Sequence, residues 1–309
     1  MAESPPAQTR STHRRFSARR VLAIAGGTFT QLVRMKVFAF MAIFAVVLIG
    51  ASFAFADLKT EQELKMLKDV AFPAMSLFAM LFAIAGTALL IPRDVEDRTL
   101  YTILCKPVPR IEYLLGKLFG VVWLVFISLI CMDILFCGVL HLKNMRVTAE
   151  QLEATEYKRY GSQDEREAAR EEIIRTSEKL GVTWNIQSGV VSIFLKSVVM
   201  AAVALLLSTA ASSTMFTIMS SLAVMIIGHM QALARDFFLS DISGGVVPRF
   251  VAGVVALIFP DFASFDVIDA VMEGTIVTLG TLGKMTGLTA VYFTLYMTAG
   301  WILFSDKEL

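Results

Sequence analysis

The sequence predicts an all-α polytopic membrane protein, and three observations predict it. Of 309 residues, 56% are hydrophobic and only 18% are charged, with a mean hydropathy of +0.67, whereas an ordinary soluble domain carries about 25% charged residues. Uncharged apolar runs long enough to cross a bilayer recur along the chain. Finally, Arg10, Arg14, Arg15, Arg19 and Arg20 gather ahead of the first such run although the whole chain has a net charge of only +1.

Residues 1–15 read as a flexible basic tail and residues 16–36 as an interfacial amphipathic helix. Leu22, Ala25, Phe29 and Leu32 recur at helical spacing, with Arg19, Arg20, Arg34 and Lys36 near the ends. Such a helix can lay its apolar side toward acyl chains and its basic ends toward anionic headgroups. A signal peptide fits poorly, because the basic region is long, no A-x-A-like site follows closely, and the first apolar run is followed by others.

A helix rises 1.5 Å per residue, so roughly 30 Å of hydrocarbon takes about 20 residues. Runs of that order predict six crossings, about 37–56, 70–91, 118–140, 190–208, 213–232 and 285–304, within one transmembrane domain over 37–304. The fourth and fifth are expected to join at the small polar series 209–213. The basic N-terminus puts that end in the cytosol by the positive-inside rule. Alternation then places 92–117 and the tail 305–309 inside, and 57–69, 141–188 and 230–284 outside.

Two segments resist a plain six-span scheme. Residues 141–188 carry eight Lys or Arg and nine Asp or Glu, and are expected to form an external helical hairpin. Thr148 with Gln151, and Ser162 with Glu165, have capping-box spacing, and a break is expected near Gly161. Residues 246–265 hold a ten-residue apolar run, Phe250 to Phe259, that stops at Pro260. That length suits a re-entrant or interfacial helix; a seventh crossing and a buried connector are the other readings.

The charged connector at 92–117 lies directly between two apolar runs and carries five basic and four acidic residues. Asp97 can cap a turn, and Pro107 and Pro109 would end a short helix over 98–105. Its stretch EDRTLYTILCKPVPRIEYLLGK resembles the cytoplasmic segment of ABC-2-type transporter permeases, approximately E-x-G-T-L-x-x-L-L-x-x-P-x-x-R-x-x-x-L-x-G-K. The correspondence runs through Glu96, Thr99, Leu100, Leu104, Pro107, Arg110, Leu114, Gly116 and Lys117, with Arg98 where glycine is frequent. More weakly, Phe259, Pro260, Asp261, Phe262 and Phe265 resemble the family's P-N-x-x-x-F neighbourhood before the last span.

The resemblance implies an ABC-2-type six-helix transmembrane domain acting as the permease subunit of an ATP-driven exporter or extruder in a bacterial inner membrane, with both termini cytosolic. It further implies that residues 93–112, with Glu96, Arg98, Thr99, Leu100, Leu104, Pro107 and Arg110, couple to ABC ATPase subunits that hold ATP and Mg. A second permease copy or sister permease, and membrane lipids, complete the implied partners. A membrane anchor or mechanosensing partner with a permease-like fold is the alternative.

This chain itself offers no G-x-x-x-x-G-K-[ST] run, since GTLGKMTG at 280–287 has the wrong spacing. No cofactor or metal is expected in it: Cys105, Cys131 and Cys137 lack zinc or redox spacing, and His13, His141 and His229 form no compact motif. Nucleic acid is not expected, because basic and aromatic residues do not interleave. Within the spans, Asp133 is the exceptional residue. A carboxylate there should face protein, water or a basic partner, which leaves open a substrate path, a helix contact, or a protonated or boundary role.

Overall fold

The computed structural model of the chain describes residues 16–34, 37–54, 60–90, 109–157, 163–211, 213–239, 258–272 and 275–306. Among these, every regular element is helical. In chain order they are α1 (Ala18–Val33), α2 (Val37–Ala54), α3 (Thr60–Ala88), α4 (Arg110–Tyr157), α5 (Gln163–Leu180), α6 (Trp184–Ala210) and α7 (Thr214–Leu239). A 3-10 turn (Ala263–Phe265), a short α8 (Ile268–Met272) and α9 (Leu279–Asp306) follow. Five of these, α3, α4, α6, α7 and α9, contain stretches long and apolar enough to cross a membrane. α2, 18 residues long, contains the apolar stretch Met41–Ala51.

Several helices run further than the apolar runs alone suggest. α3 starts at Thr60 rather than at 70, so most of the expected loop 57–69 is the first turns of that helix. Its polar residues are good helix formers, and Leu64 and Leu67 turn inward to be buried. α4 is a single helix of 48 residues, about 72 Å long, and enters the insertion without a break. Thr148 is therefore not an N-cap: its hydroxyl donates to the Asn144 carbonyl of the preceding turn at 2.7 Å.

The hairpin itself is present. α5 folds back on α4, where Asn144 Nδ2 donates to the Ser177 carbonyl at 3.1 Å and the Thr148 and Ser177 hydroxyls bond at 2.7 Å. α5 has no buried residue, so its charges are largely solvated. The expected break at Gly161 and the Ser162 cap lie outside the described residues. α9 likewise begins at Leu279 rather than 285, so GTLGKMTG forms helical turns, not a phosphate-cradling loop.

α6 is the central helix. Buried residues make up 67% of its apolar stretch, against 22% for α7 and 28% for α9. α3 and α4 pack with it; Phe72 and Phe136 meet edge to face at 5.4 Å, as do Phe126 and Phe194. Hydroxyls inside this core bond to their own helix, as Ser197 does to the Ile193 carbonyl and Thr87 to the Ala83 carbonyl.

The helices alternate in direction. The start of α4 meets the end of α9 through Arg110 and Phe304, and Gly300 of α9 lies against Leu206 and Thr209 near the end of α6. At the opposite end, Lys143 of α4 pairs with Glu63 of α3, and Asn185 of α6 bonds to the Thr275 carbonyl before α9. The bundle thus has two chemically distinct ends.

Candidate functional site

The first end is built around the opening turns of α4. Glu112 is fully buried in the first turn, where an acidic side chain is favoured by the positive end of the helix dipole. Arg20 of α1 grips it in a two-pronged contact, Nε to Oε2 at 2.6 Å and Nη2 to Oε1 at 2.8 Å. The backbone N–H of Ser17 adds a third bond to Oε1 at 2.9 Å, so Glu112 anchors the entry to α1, whose N-cap side chain makes no capping bond. The bond to Glu112 raises the Arg20 guanidinium above its ordinary value, so Arg20 stays charged at neutral pH.

One and two turns further along α4 stand Gly116 and Gly120. A Cβ on Gly116 would stand 2.7 Å from Ile24 Cβ and 3.0 Å from the Val21 carbonyl oxygen; on Gly120 it would stand 2.6 Å from Thr28 Cβ and 2.9 Å from the Ala25 carbonyl oxygen. The missing side chains let the two backbones approach, as in small-xxx-small helix pairs of membranes. Consequently α1 is seated along α4. Its buried stripe is Val21, Ala25, Thr28 and Leu32, so Ala25 and Leu32 of the expected apolar side turn to the protein while Leu22 is 64% exposed.

Arg110 begins α4 and closes the junction on its other side. Its Nη1 donates to the carbonyls of Phe304 at 2.8 Å and Ser305 at 2.7 Å, the last turn of α9, where a cation also meets the negative end of the dipole. The guanidinium lies 5.8 Å from the Phe304 ring centroid, and Tyr113 stacks on the same ring at 6.0 Å. Glu96, Arg98, Thr99, Leu100, Leu104 and Pro107 fall outside the described residues. Of the expected coupling set, Arg110 alone is therefore placed, and it binds α9 of its own chain.

Asp133 has a partner within the bundle. Its Oδ2 accepts from Gln187 Nε2 of α6 at 3.0 Å, and Cys137 Sγ, one turn along α4, lies 3.5 Å from Oδ1. The carboxylate therefore ties α4 to α6, the helix-contact reading among those open from sequence.

Near the second end, the residues around Pro260 form a compact plug. Phe262 is fully buried, its N–H donates to the Gly228 carbonyl at 3.2 Å, and a Cβ on Gly228 would stand 2.6 Å from the Phe262 ring. Asp261 holds the following turn, accepting from Ala263 N at 3.1 Å and Ser264 Oγ at 2.8 Å, while Tyr292 OH accepts from the Asp261 N–H at 3.2 Å. Phe259 precedes it, half-buried. Lys196 is buried beside the plug, 6% exposed, with its ammonium 5.9 Å from the Phe262 ring centroid. The approach to this plug, residues 240–257, lies outside the described residues, so the re-entrant arm is not placed.

Residues 51–302 match the family model described as "ABC-2 family transporter protein". The chain belongs to that family. It is a multi-pass membrane protein and a permease of the ABC-2 type, and this membership implies ABC ATPase subunits as partners. A search of the curated proteins finds no match to the permease. The residues that sequence reasoning passed over, Glu112, Gly120 and Gln187, are those that join this permease's helices. Gly116-x-x-x-Gly120 carried a readable signal in its spacing; Glu112 and Gln187 carried none, because their partners are distant in sequence.

Proposed function

We propose that the chain is the permease subunit of an ATP-driven exporter or extruder of a bacterial inner membrane, with a separate nucleotide-binding subunit supplying ATP hydrolysis. The connector 92–117 faces the cytosol in this reading, both termini lie on the same side, and a second permease copy or sister permease completes the pathway. The family match supports the permease half of the reading. The observation that carries the coupling half is the junction at the start of α4. Arg110 and Glu112 stand at the end of the connector and hold α9 and α1 respectively, so a push on the connector moves three helices together.

ATP binding would then close the ATPase pair, displace the connector, and shift α1, α4 and α9 as one body relative to the rest. The test is co-purification of the tagged permease with an ATPase and measurement of its ATP hydrolysis in proteoliposomes. Glu96→Ala should lower stimulation of the ATPase while leaving the α1–α4 junction intact. Labelling of an engineered cysteine at position 96 only from outside intact cells would overturn both the sidedness and the coupling.

A further inference from the structure

At the end of the bundle opposite the α1–α4 junction, a cavity of about 1150 Å³ opens between α3, the end of α5, the start of α6, α8 and the start of α9. It is at or above the upper end of the usual range for ligand sites, about 300–1,000 Å³. Lys65, Lys68 and Lys179 line it, and among its described lining residues there is no carboxylate. Lys68 is the decisive group: it is only 3% exposed, lines the cavity, and makes no hydrogen bond or ion pair to the described residues. A buried ammonium left without a partner is costly, and an anion entering the cavity would relieve that cost.

The backbone adds to the same field. α6 and α9 both direct their N-terminal ends at the cavity, through Thr183 and Trp184 and through Thr278 and Leu279, and Thr183 makes no side-chain capping bond. Two positive dipole ends therefore meet three lysines. The remaining wall is apolar, and its rim holds Ile276, Trp184 and Leu279, which are 89%, 84% and 80% exposed. A small inorganic anion would use the lysines and leave this wall uncovered, whereas a zwitterionic headgroup would bring an ammonium with no described lining carboxylate to meet it.

We propose that this cavity binds an amphiphile with an anionic phosphate or carboxylate headgroup, the headgroup at Lys68 and the chain along the wall formed by α8 and α9. The assignment stands whether or not the chain moves that ligand. Its source is either a phospholipid of the bilayer or a free single-chain amphiphile.

The full-length protein is placed in nanodiscs of phosphatidylcholine, with or without phosphatidylglycerol, and retained lipid is counted by native mass spectrometry; dodecyl phosphate is titrated into the phosphatidylcholine discs. Retention of phosphatidylglycerol over phosphatidylcholine identifies a bilayer lipid, and saturable binding of dodecyl phosphate alone identifies the free amphiphile. Lys68→Gln should weaken the bound species about tenfold, the loss of one charge-assisted contact. The paired change Lys65→Gln with Lys179→Gln, both at exposed positions, tests the site without touching a buried residue and should also weaken binding, while Lys284→Gln on α9 should not. Equal retention of the zwitterionic and anionic species, unchanged affinity in the lysine variants, or competition by inorganic phosphate as effective as that by dodecyl phosphate would overturn the proposal.

Discussion

Two buried charges at opposite ends of the bundle are met in opposite ways. At the α1–α4 junction Glu112 is buried and fully met, by Arg20 and the Ser17 N–H, and Arg110 is engaged by the final carbonyls of α9. At the other end Lys68 is equally buried, yet no described residue meets it. Charge that is satisfied within the chain fixes how helices sit on one another. Charge left unmet inside a cavity is available to something outside the chain, and the chain bears its desolvation until that partner arrives.

Substitutions at the two ends should therefore differ in sign. The largest effect is expected from Arg20→Ala, which leaves Glu112 buried with only the Ser17 N–H; thermal unfolding of the purified protein should fall on the order of 10 °C. Glu112→Ala should cost less, because the orphaned guanidinium reaches water. Equal losses would show that the ion pair does not set the junction. Next, Gly120→Ala should destabilise by about 2 kcal/mol, through the overlap with Thr28 and the Ala25 carbonyl. Crosslinking between cysteines placed on α1 and α4 reads the same change as a separation of the two helices, and an undiminished crosslink would break the close-approach account.

Lys68→Met should move the other way, stabilising the ligand-free protein by about 1 kcal/mol because it removes an unmet buried cation. A loss of stability on that change would mean that Lys68 is already satisfied, and the contrast between the two ends would collapse. The smallest effects should come from Asp133. Asn in its place keeps an oxygen for Gln187 and should change stability by less than about 0.5 kcal/mol, whereas Leu leaves the amide only its long contact to Cys137 Sγ and should cost about 1 kcal/mol. Thermal unfolding of both variants beside the parent separates these values.

Much of the architecture was legible before any coordinates. The apolar runs near 70–91, 118–140, 190–208, 213–232 and 285–304 all lie mainly within helices, and the small polar series at 209–213 begins in the last residues of α6, ahead of α7. Helix ends were less legible. The polar first turns of α3 and the continuation of α4 to Tyr157 have helix-forming side chains but no apolar signal, because their ends leave the hydrocarbon while the backbone ladder continues. For α1 the period was readable but the face was not. Of the apolar stripe, Ala25 and Leu32 are buried while Leu22 is exposed, and Val21 and Thr28 join the buried side because Gly116 and Gly120 admit a close partner there.

By itself the sequence determined the class of the molecule and the spacing of its helices, since the cost of placing charge and unpaired backbone in hydrocarbon leaves few ways to thread such a pattern. It also singled out Arg110, Asp133 and the Pro260 neighbourhood. Tertiary structure decided what each of them touches. Pairing of Arg20 with Glu112, of Asp133 with Gln187, and the absence of a partner for Lys68 among the described residues depend on which helix faces come together, and contacts between residues so far apart in the chain leave no periodic trace along it.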